Sequence, residues 1–391
     1  MKCSRTRVVI WHSLEGGTVV ATGHVLLWIF VGALVLVFWL IIRARWDAFL
    51  ALLAGSLVAG LAAGIPIVKL PGVVATGFGD TLGGIGITIG LGVMLGELLF
   101  AAGATQQIAD SMLRLVGERR APLALTLTGW LVSIPVFFDA AFVILIGLVR
   151  QLSRRTRTSM VTLITTLAVG LIATHAVVPP TPGPLVVAEN LKVSLGLFIL
   201  YGSVITLIAV LVGGWLFGSW VGRNAPYYSD DPAQPAVTST TESAATKETD
   251  QPGAVLSFGL LALPIILILL NTVVGVIAKG TKAANLFAFL GEKNVALFLS
   301  VIIASLALKP YFTDKVSSIL SRAVQSAGMI LLVTGAGGAF GAVLKESGVG
   351  DYLVQTMRDW NMPILLLAFL FAQLLRAAQG STTVALVTTS S

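Results

Sequence analysis

Apolar residues in this chain come in long unbroken runs, with neither helical nor alternating spacing. Runs at 25–42, 48–64, 82–102, 160–178, 195–220, 254–278, 294–308 and 326–344 are apolar on every face. They approach the roughly 20 residues that a helix needs to cross hydrocarbon, so each predicts a membrane span. Two further apolar segments, 122–149 and 362–391, are interrupted by Phe137-Phe138-Asp139 and by Gly380-Ser381-Thr382-Thr383. A third interruption, ATHAVVPPTPGP at 173–184, breaks the run that begins at 160. In a bilayer, backbone freed from helical hydrogen bonds is tolerated only where it is buried in protein or lines a cavity. Breaks of this kind mark the binding sites of secondary transporters.

Composition agrees with that pattern. Of 391 residues, 56% are hydrophobic and 11% charged, and mean hydropathy is +0.94. A soluble domain carries roughly 25% charged residues, so this chain is all-α and polytopic in the lipid bilayer. The net charge of +7 does not point to nucleic acid, because Lys and Arg lie in short loops between apolar runs; Arg150, Arg154, Arg155 and Arg157 form the densest group. Cys3 is the only cysteine and the histidines are His12, His24 and His175, so disulfides, metal sites and cofactor ligation are not expected. Gly77-Phe78-Gly79-Asp80 matches the GxGD of intramembrane aspartyl proteases. Such chemistry needs two intramembrane carboxylates, and Asp80 has no upstream partner. With no nucleophile or carboxylate pair, an enzyme is not expected.

Positive charge sets the expected topology. Arg114, Arg119 and Arg120 precede segment 122–149, and four arginines follow it. A single crossing would leave one Arg-rich loop outside, whereas a re-entrant hairpin keeps both inside. LGELLFAAGATQQIADSML from Leu95 resembles FGAVLKESGVGDYLVQTM from Phe340, with Gly96 and Gly103 matching Gly341 and Gly348 at an offset of 245. On this topology the two copies run in opposite directions across the membrane, as in many secondary transporters. The expected organisation is an N-terminal tail (1–23), a first repeat (24–222, hairpin 122–149, broken helix 160–191), a flexible cytoplasmic linker (223–253) and a second, inverted repeat (254–391, hairpin 362–391).

Several residues at the breaks could carry chemistry. Asp139 in the first hairpin costs about 2.5–3.5 kcal/mol if ionised at mid-bilayer, so it is either a proton or substrate site or a cap on the adjacent half-helix. Thr174 and His175 precede Pro180, Pro182 and Gly183. His175 can relay protons or simply satisfy a carbonyl freed by the prolines. Arg376 precedes the second break and can answer an anionic substrate or snorkel to the interface. Gly380 admits close backbone approach, Ser381, Thr382 and Thr383 offer hydroxyls, and half-helix amides attract a carboxylate.

ATHAVVPPTPGP is similar to the signature of the GntP family of gluconate:proton symporters. TGFGDTLGGIGITIGLGVMLGELLFAAGATQQIA, TGAGGAFGAVLKESGVGDYL and LLRAAQGSTTVAL resemble three other stretches of that family, and the likeness runs in order over most of residues 25–391. The resemblance implies an inverted-repeat fold of the ion-transporter superfamily with two re-entrant hairpins, often a homodimer, in the bacterial inner membrane. It implies proton-driven import of gluconate or a related sugar-acid anion by an elevator-like movement. It would place Asp139, Thr174, His175, Pro180, Pro182, Gly183, Arg376, Gly380, Ser381 and Thr383 in the binding region, with Asp139 or His175 carrying the proton. At Asp139 the family tends to have a Glu. Two departures stand out: Asp80 replaces a usual Gly, and the family continues for several tens of residues past the position of Ser391, including a second broken helix. The second repeat therefore reads as incomplete, and the alternatives are an inactive transporter fragment or a permease for another small carboxylate.

Overall fold

The computed structural model describes residues 11–13, 19–21, 23–136, 138–225, 251–278, 280–349, 352, 363–379 and 382–390. Most of the expected linker, together with Gly380 and Ser381, lies outside them. The described residues are almost wholly helical. The strands among them are Trp11–Ser13 and Val19–Ala21, paired antiparallel within the expected tail.

The apolar runs become α1 (His24–Ile42), α2 (Ala48–Ala62), α3 (Leu70–Ala101), α7 (Met160–Val177), α9 (Leu195–Val210), α11 (Ala254–Ile277), α13 (Lys293–Ala307) and α14 (Val316–Glu346). The interrupted segments become helix pairs. These are α5 (Ala121–Val132) with α6 (Phe138–Thr156), α7 with α8 (Pro182–Asn190), and α15 (Ile364–Gln379) with α16 (Thr382–Ser390). The charge-rich loop after α3 contains an amphipathic helix, α4 (Ala104–Val116). A π-helical stretch, Leu211–Leu216, joins α9 to α10 (Phe217–Val221), and α12 (Lys282–Leu290) meets α13 at a 67° bend. Among the described residues, six helical segments are long and apolar enough to cross a membrane, and a seventh if the bent pair counts as one. Outward-facing side chains such as Trp28, Leu200, Ile205, Ile208 and Val276 are apolar and exposed, as lipid-facing residues must be.

α3 and α14 are longer than their apolar runs. α3 starts at Leu70, so Asp80 lies within the helix and not at the start of a span. The Gly-rich stretch that dilutes its hydropathy is packing surface. A Cβ at Gly77 would collide with Ala342 and come within 2.9 Å of the Gly338 carbonyl, and one at Gly335 would strike the Phe78 ring. Small residues let helices approach closely where apolar burial supplies no drive between them.

The chain packs as two compact units, one of residues 1–87, 185–192 and 328–391 and the other of 88–184 and 193–327. The first has a core of Leu34, Val37, Leu52, Phe340 and Val343. The core of the second includes Leu98, Ile108, Leu125, Leu145, Leu163 and Leu297.

Helix bounds recur at the offset seen in the sequence. α2 and α13 begin and end 245 residues apart (48 to 293, 62 to 307). α3 and α14 end 245 apart (101 to 346). Both short helices are capped by the acid just before them. Asp47 accepts from the Phe49 amide at 2.8 Å, and Glu292 from the amides of Asn294 and Val295 at 2.9 and 3.0 Å. Gly103 and Gly348, also 245 apart, both adopt the left-handed backbone (φ 75° and 73°) that only glycine takes without cost. Contacts between α3 and α14 follow a matching rule. In the first unit Gly77 abuts Ala342, and a Cβ at Gly86 would stand 3.7 Å from Leu331 Cδ2; in the second, Arg322 Nε lies 3.4 Å from Glu97 Oε1.

Candidate functional site

Two of the interruptions meet inside the second unit. The α5–α6 turn brings Ile134 and Pro135 to a narrow recess whose other walls are Ile89, Gly92 and Val93 of α3 and Pro180, Thr181 and Pro182 of the break after α7. The sequence explains each wall. Pro135 cannot donate an amide to α5, which stops at Val132 with the turn closed by bonds from Ser133 and Val136 amides to the Gly129 and Val132 carbonyls. Pro179 and Pro180, joined by a cis peptide, end α7, and Thr181 Oγ1 donates to the Val178 carbonyl at 2.8 Å. Glycine on α3 makes room: a Cβ at Gly96 would come within 2.7 Å of the Pro135 carbonyl, and one at Gly92 within 3.9 Å of the Pro180 carbonyl. The recess holds about 10 Å³, near the lower limit for one water molecule, so an occupied form needs the walls to part.

The α5–α6 pair has contacts at its base and along its first arm. Its two feet meet where Arg155 Nη1 lies 3.7 Å from Glu118 Oε1. Its first arm lies backbone against backbone on α7: a Cβ at Gly129 would fall within 2.8 Å of the Leu167 carbonyl, and one at Gly170 within 2.6 Å of the Thr126 carbonyl.

Of the residues expected at the site, Pro180 and Pro182 line the recess directly, and Gly183 follows Pro182 in the first turn of α8. Thr174 is buried one turn earlier on α7, its hydroxyl donating to the Gly170 carbonyl at 3.1 Å, so it has only acceptor capacity to offer. His175 is half-buried in the last turn of α7. Asp139 falls in the first turn of α6, just past the α5–α6 turn. The second-break residues belong to the first unit. Arg376 sits half-buried in the last turn of α15, and Thr382 and Thr383 open α16. Gly380 and Ser381 fall outside the described residues.

Sequence reasoning missed Ile89, Gly92 and Val93, because nothing in a uniformly apolar run says which face lines a recess. It also missed Asp110, half-buried on α4. Burial raises the Asp110 carboxyl above its ordinary value; the pull of Arg114, the hydrogen bond from Gln106 at 3.5 Å and the field of Arg155 act in the opposite direction. No cluster of three or more His, Cys, Asp or Glu able to hold a metal occurs among the described residues.

Long apolar helices, interrupted ones among them, and a recess walled by two of the interruptions define a multi-pass membrane transport protein. The chain belongs to the GntP permease family, whose sequence profile, described as GntP family permease, matches residues 24–391. It is 38% identical over 376 residues to an uncharacterized permease of Haemophilus influenzae, covering 92% of this chain and 76% of that one. It is 35% identical over 363 residues to the low-affinity gluconate transporter of Escherichia coli K12 (92% and 79%). A D-serine transporter of Escherichia coli O6:H1 is 32% identical over 359 residues (91% and 79%). As a permease the chain is a carrier, not an enzyme.

Proposed function

We propose that the chain imports gluconate or a closely related sugar acid together with protons across a bacterial inner membrane. The observation that carries the reading is the recess where the first hairpin turn meets the Pro180–Pro182 break. Both walls are non-helical backbone inside a transport protein, as the binding centres of secondary carriers require. The names of the relatives narrow the cargo: gluconate and D-serine share a carboxylate with polar substituents close to it. Such an acid needs amide or cationic donors for the carboxylate and small polar groups for the hydroxyls. Arg376 and the hydroxyls of Ser381, Thr382 and Thr383 are assigned to those tasks. Asp139 or His175 carries the coupled proton.

The same reading gives the chain two inverted repeats and a re-entrant first hairpin. The pattern of α3–α14 contacts supports the inversion. Pairs 77–342, 86–331 and 97–322 run antiparallel. The Glu118–Arg155 pair supports the hairpin, as does the length of α5: 12 residues reach about 18 Å, short of the roughly 30 Å hydrocarbon core.

The test is uptake of radiolabelled gluconate into proteoliposomes, with and without an inward proton gradient. Gradient-stimulated uptake is expected, and its complete absence from folded protein overturns the sugar-acid reading. Asp139→Asn should abolish stimulation by the gradient while leaving gluconate exchange between preloaded vesicles within about threefold, because exchange needs no net proton transfer. If Asp139→Asn keeps gradient-driven uptake, the proton belongs to His175.

A further inference from the structure

We propose that Asn294, in the first turn of α13, donates a hydrogen bond from its side-chain amide to an oxygen of the transported acid, so that the α12–α13 bend serves the same site as the recess. The inference rests on the sugar-acid carrier reading above, and every residue it uses belongs to the second unit. One face of α3 carries Thr88, Gly92 and Gly96 at a spacing of four, stacked over about 12 Å. Each of the three meets a different interruption. Gly96 packs under the Pro135 carbonyl of the α5–α6 turn, and Gly92 lies beside the Pro180 carbonyl of the break after α7. Thr88, fully buried, donates its hydroxyl to Asn294 Oδ1 at 2.7 Å, just past the 67° bend. Gly92 is itself a wall of the recess, so the Thr88–Asn294 bond stands one helical turn from it. Core packing gives the same neighbourhood. Ala296, two residues on in α13, shares a small buried cluster with Ile134, a recess wall, and with Val178, which ends α7.

The chemistry of the recess calls for such a donor. Pro135, Pro180 and Pro182 have no amide hydrogen, and the Thr181 hydroxyl is already given to the Val178 carbonyl. An acid entering here finds aliphatic walls and spent polar groups, so a donor has to come from the rim. Asn294 has one to give. Its oxygen accepts from Thr88 and its backbone amide donates to Glu292, whereas nothing among the described residues accepts from its Nδ2. An amide nitrogen carries two donors, and leaving them unmatched on a half-buried residue is costly unless water or a ligand meets them. The group is also held in place. Thr88 fixes its oxygen, Glu292 caps the turn that carries it, and Asn271 Nδ2 donates to the Gly291 carbonyl at 3.4 Å on the other side of the bend. A donor held this way loses little freedom when it binds.

The experiment compares gluconate transport in proteoliposomes by the full chain and by Asn294→Ala, Asn294→Asp and Thr88→Val, with each protein's melting temperature read in detergent. Alanine removes the donor and the oxygen together. Aspartate keeps the shape and the oxygen that Thr88 bonds, and loses the donor. Valine at 88 removes the bond between the helices and leaves the donor. The expected result is a KM raised about tenfold by alanine at near-unchanged maximal rate, the equivalent of one hydrogen bond of about 1.4 kcal/mol. Aspartate should raise KM at least as far, since it sets a carboxylate against an acid, and Thr88→Val should stay within about threefold of the parent. Should the alanine variant fail to fold, aspartate decides alone, and an aspartate variant with the parent KM overturns the proposal. Thr88→Val that raises KM as much as alanine overturns it too, because the pair then only fastens α13 to α3. A fall in maximal rate at the parent KM assigns Asn294 to the movement of the walls and likewise overturns it. If the parent chain moves no gluconate, the carrier reading fails first and this inference with it; that outcome is read from the parent alone.

Discussion

At the scale of single residues, charge in this protein is confined to places where packing tolerates it. Asp110 shows how narrowly. It lies on α4, outside the segments long enough to span, yet burial raises its carboxyl above the ordinary 3.8 despite Arg114 and Gln106 beside it. The folded state therefore holds this proton more tightly than the unfolded chain. Between the ordinary and the raised value, the folded form binds more protons, so stability falls as pH rises through that interval. Asp110→Asn removes the effect. Relative to this variant, the parent protein should lose melting temperature as pH rises above the ordinary carboxyl value, and a difference that stays flat with pH would count against the burial argument. Asp139 and His175 were legible in the sequence because an ionisable group in a long apolar run is conspicuous. Asp110 was not, since in a polar stretch an aspartate stands out only after folding has buried it.

At the scale of elements, the apolar runs gave the helices' existence faithfully and their ends poorly. α3 and α14 extend past their runs into glycine-rich sequence because Gly77, Gly335 and Gly338 are where the two helices touch. Hydropathy counts a glycine contact surface as weakly apolar, so the apolar run marks only 82–102 of α3. Helix starts are set by caps instead, and the caps invite a test. Asp47 and Glu292 hold equivalent positions before α2 and α13, and each accepts from amides of the first helical turn. Replacing either by Ala should cost about 1 kcal/mol, and the double replacement the sum, since the two caps share no partner. Melting temperatures of the two single variants and the double variant give the comparison. A double variant no worse than one single variant would show that the two helix starts are coupled. The contact of α5 with α7 is less forgiving. Gly170→Leu has no room against the Thr126 carbonyl and should cost about 1–3 kcal/mol, visible as lost monodisperse protein.

At the scale of the whole molecule, the open question is which loops face which side, and here the sequence and the packing speak to the same point by separate routes. Charge placed both feet of the first hairpin on one side because a single crossing would strand an Arg-rich loop outside. Packing brings Glu118 and Arg155 together, and gives α5 too few residues to cross. Because Cys3 is the only native cysteine, the question is open to labelling. In a Cys3→Ser background, single cysteines replacing Arg119 and Arg154 should both resist a membrane-impermeant maleimide applied from outside intact cells and both react once the membrane is opened. Cysteine in place of Lys192 should react from outside. Labelling of Arg119→Cys and Arg154→Cys from opposite sides would make 122–149 a crossing and not a hairpin, and every later helix would then change direction. α14 would run parallel to α3 in the membrane. It would stand against the order of contacts within the first unit, where 77 faces 342 and 86 faces 331. One labelling experiment therefore bears on both the hairpin and the inversion of the repeats.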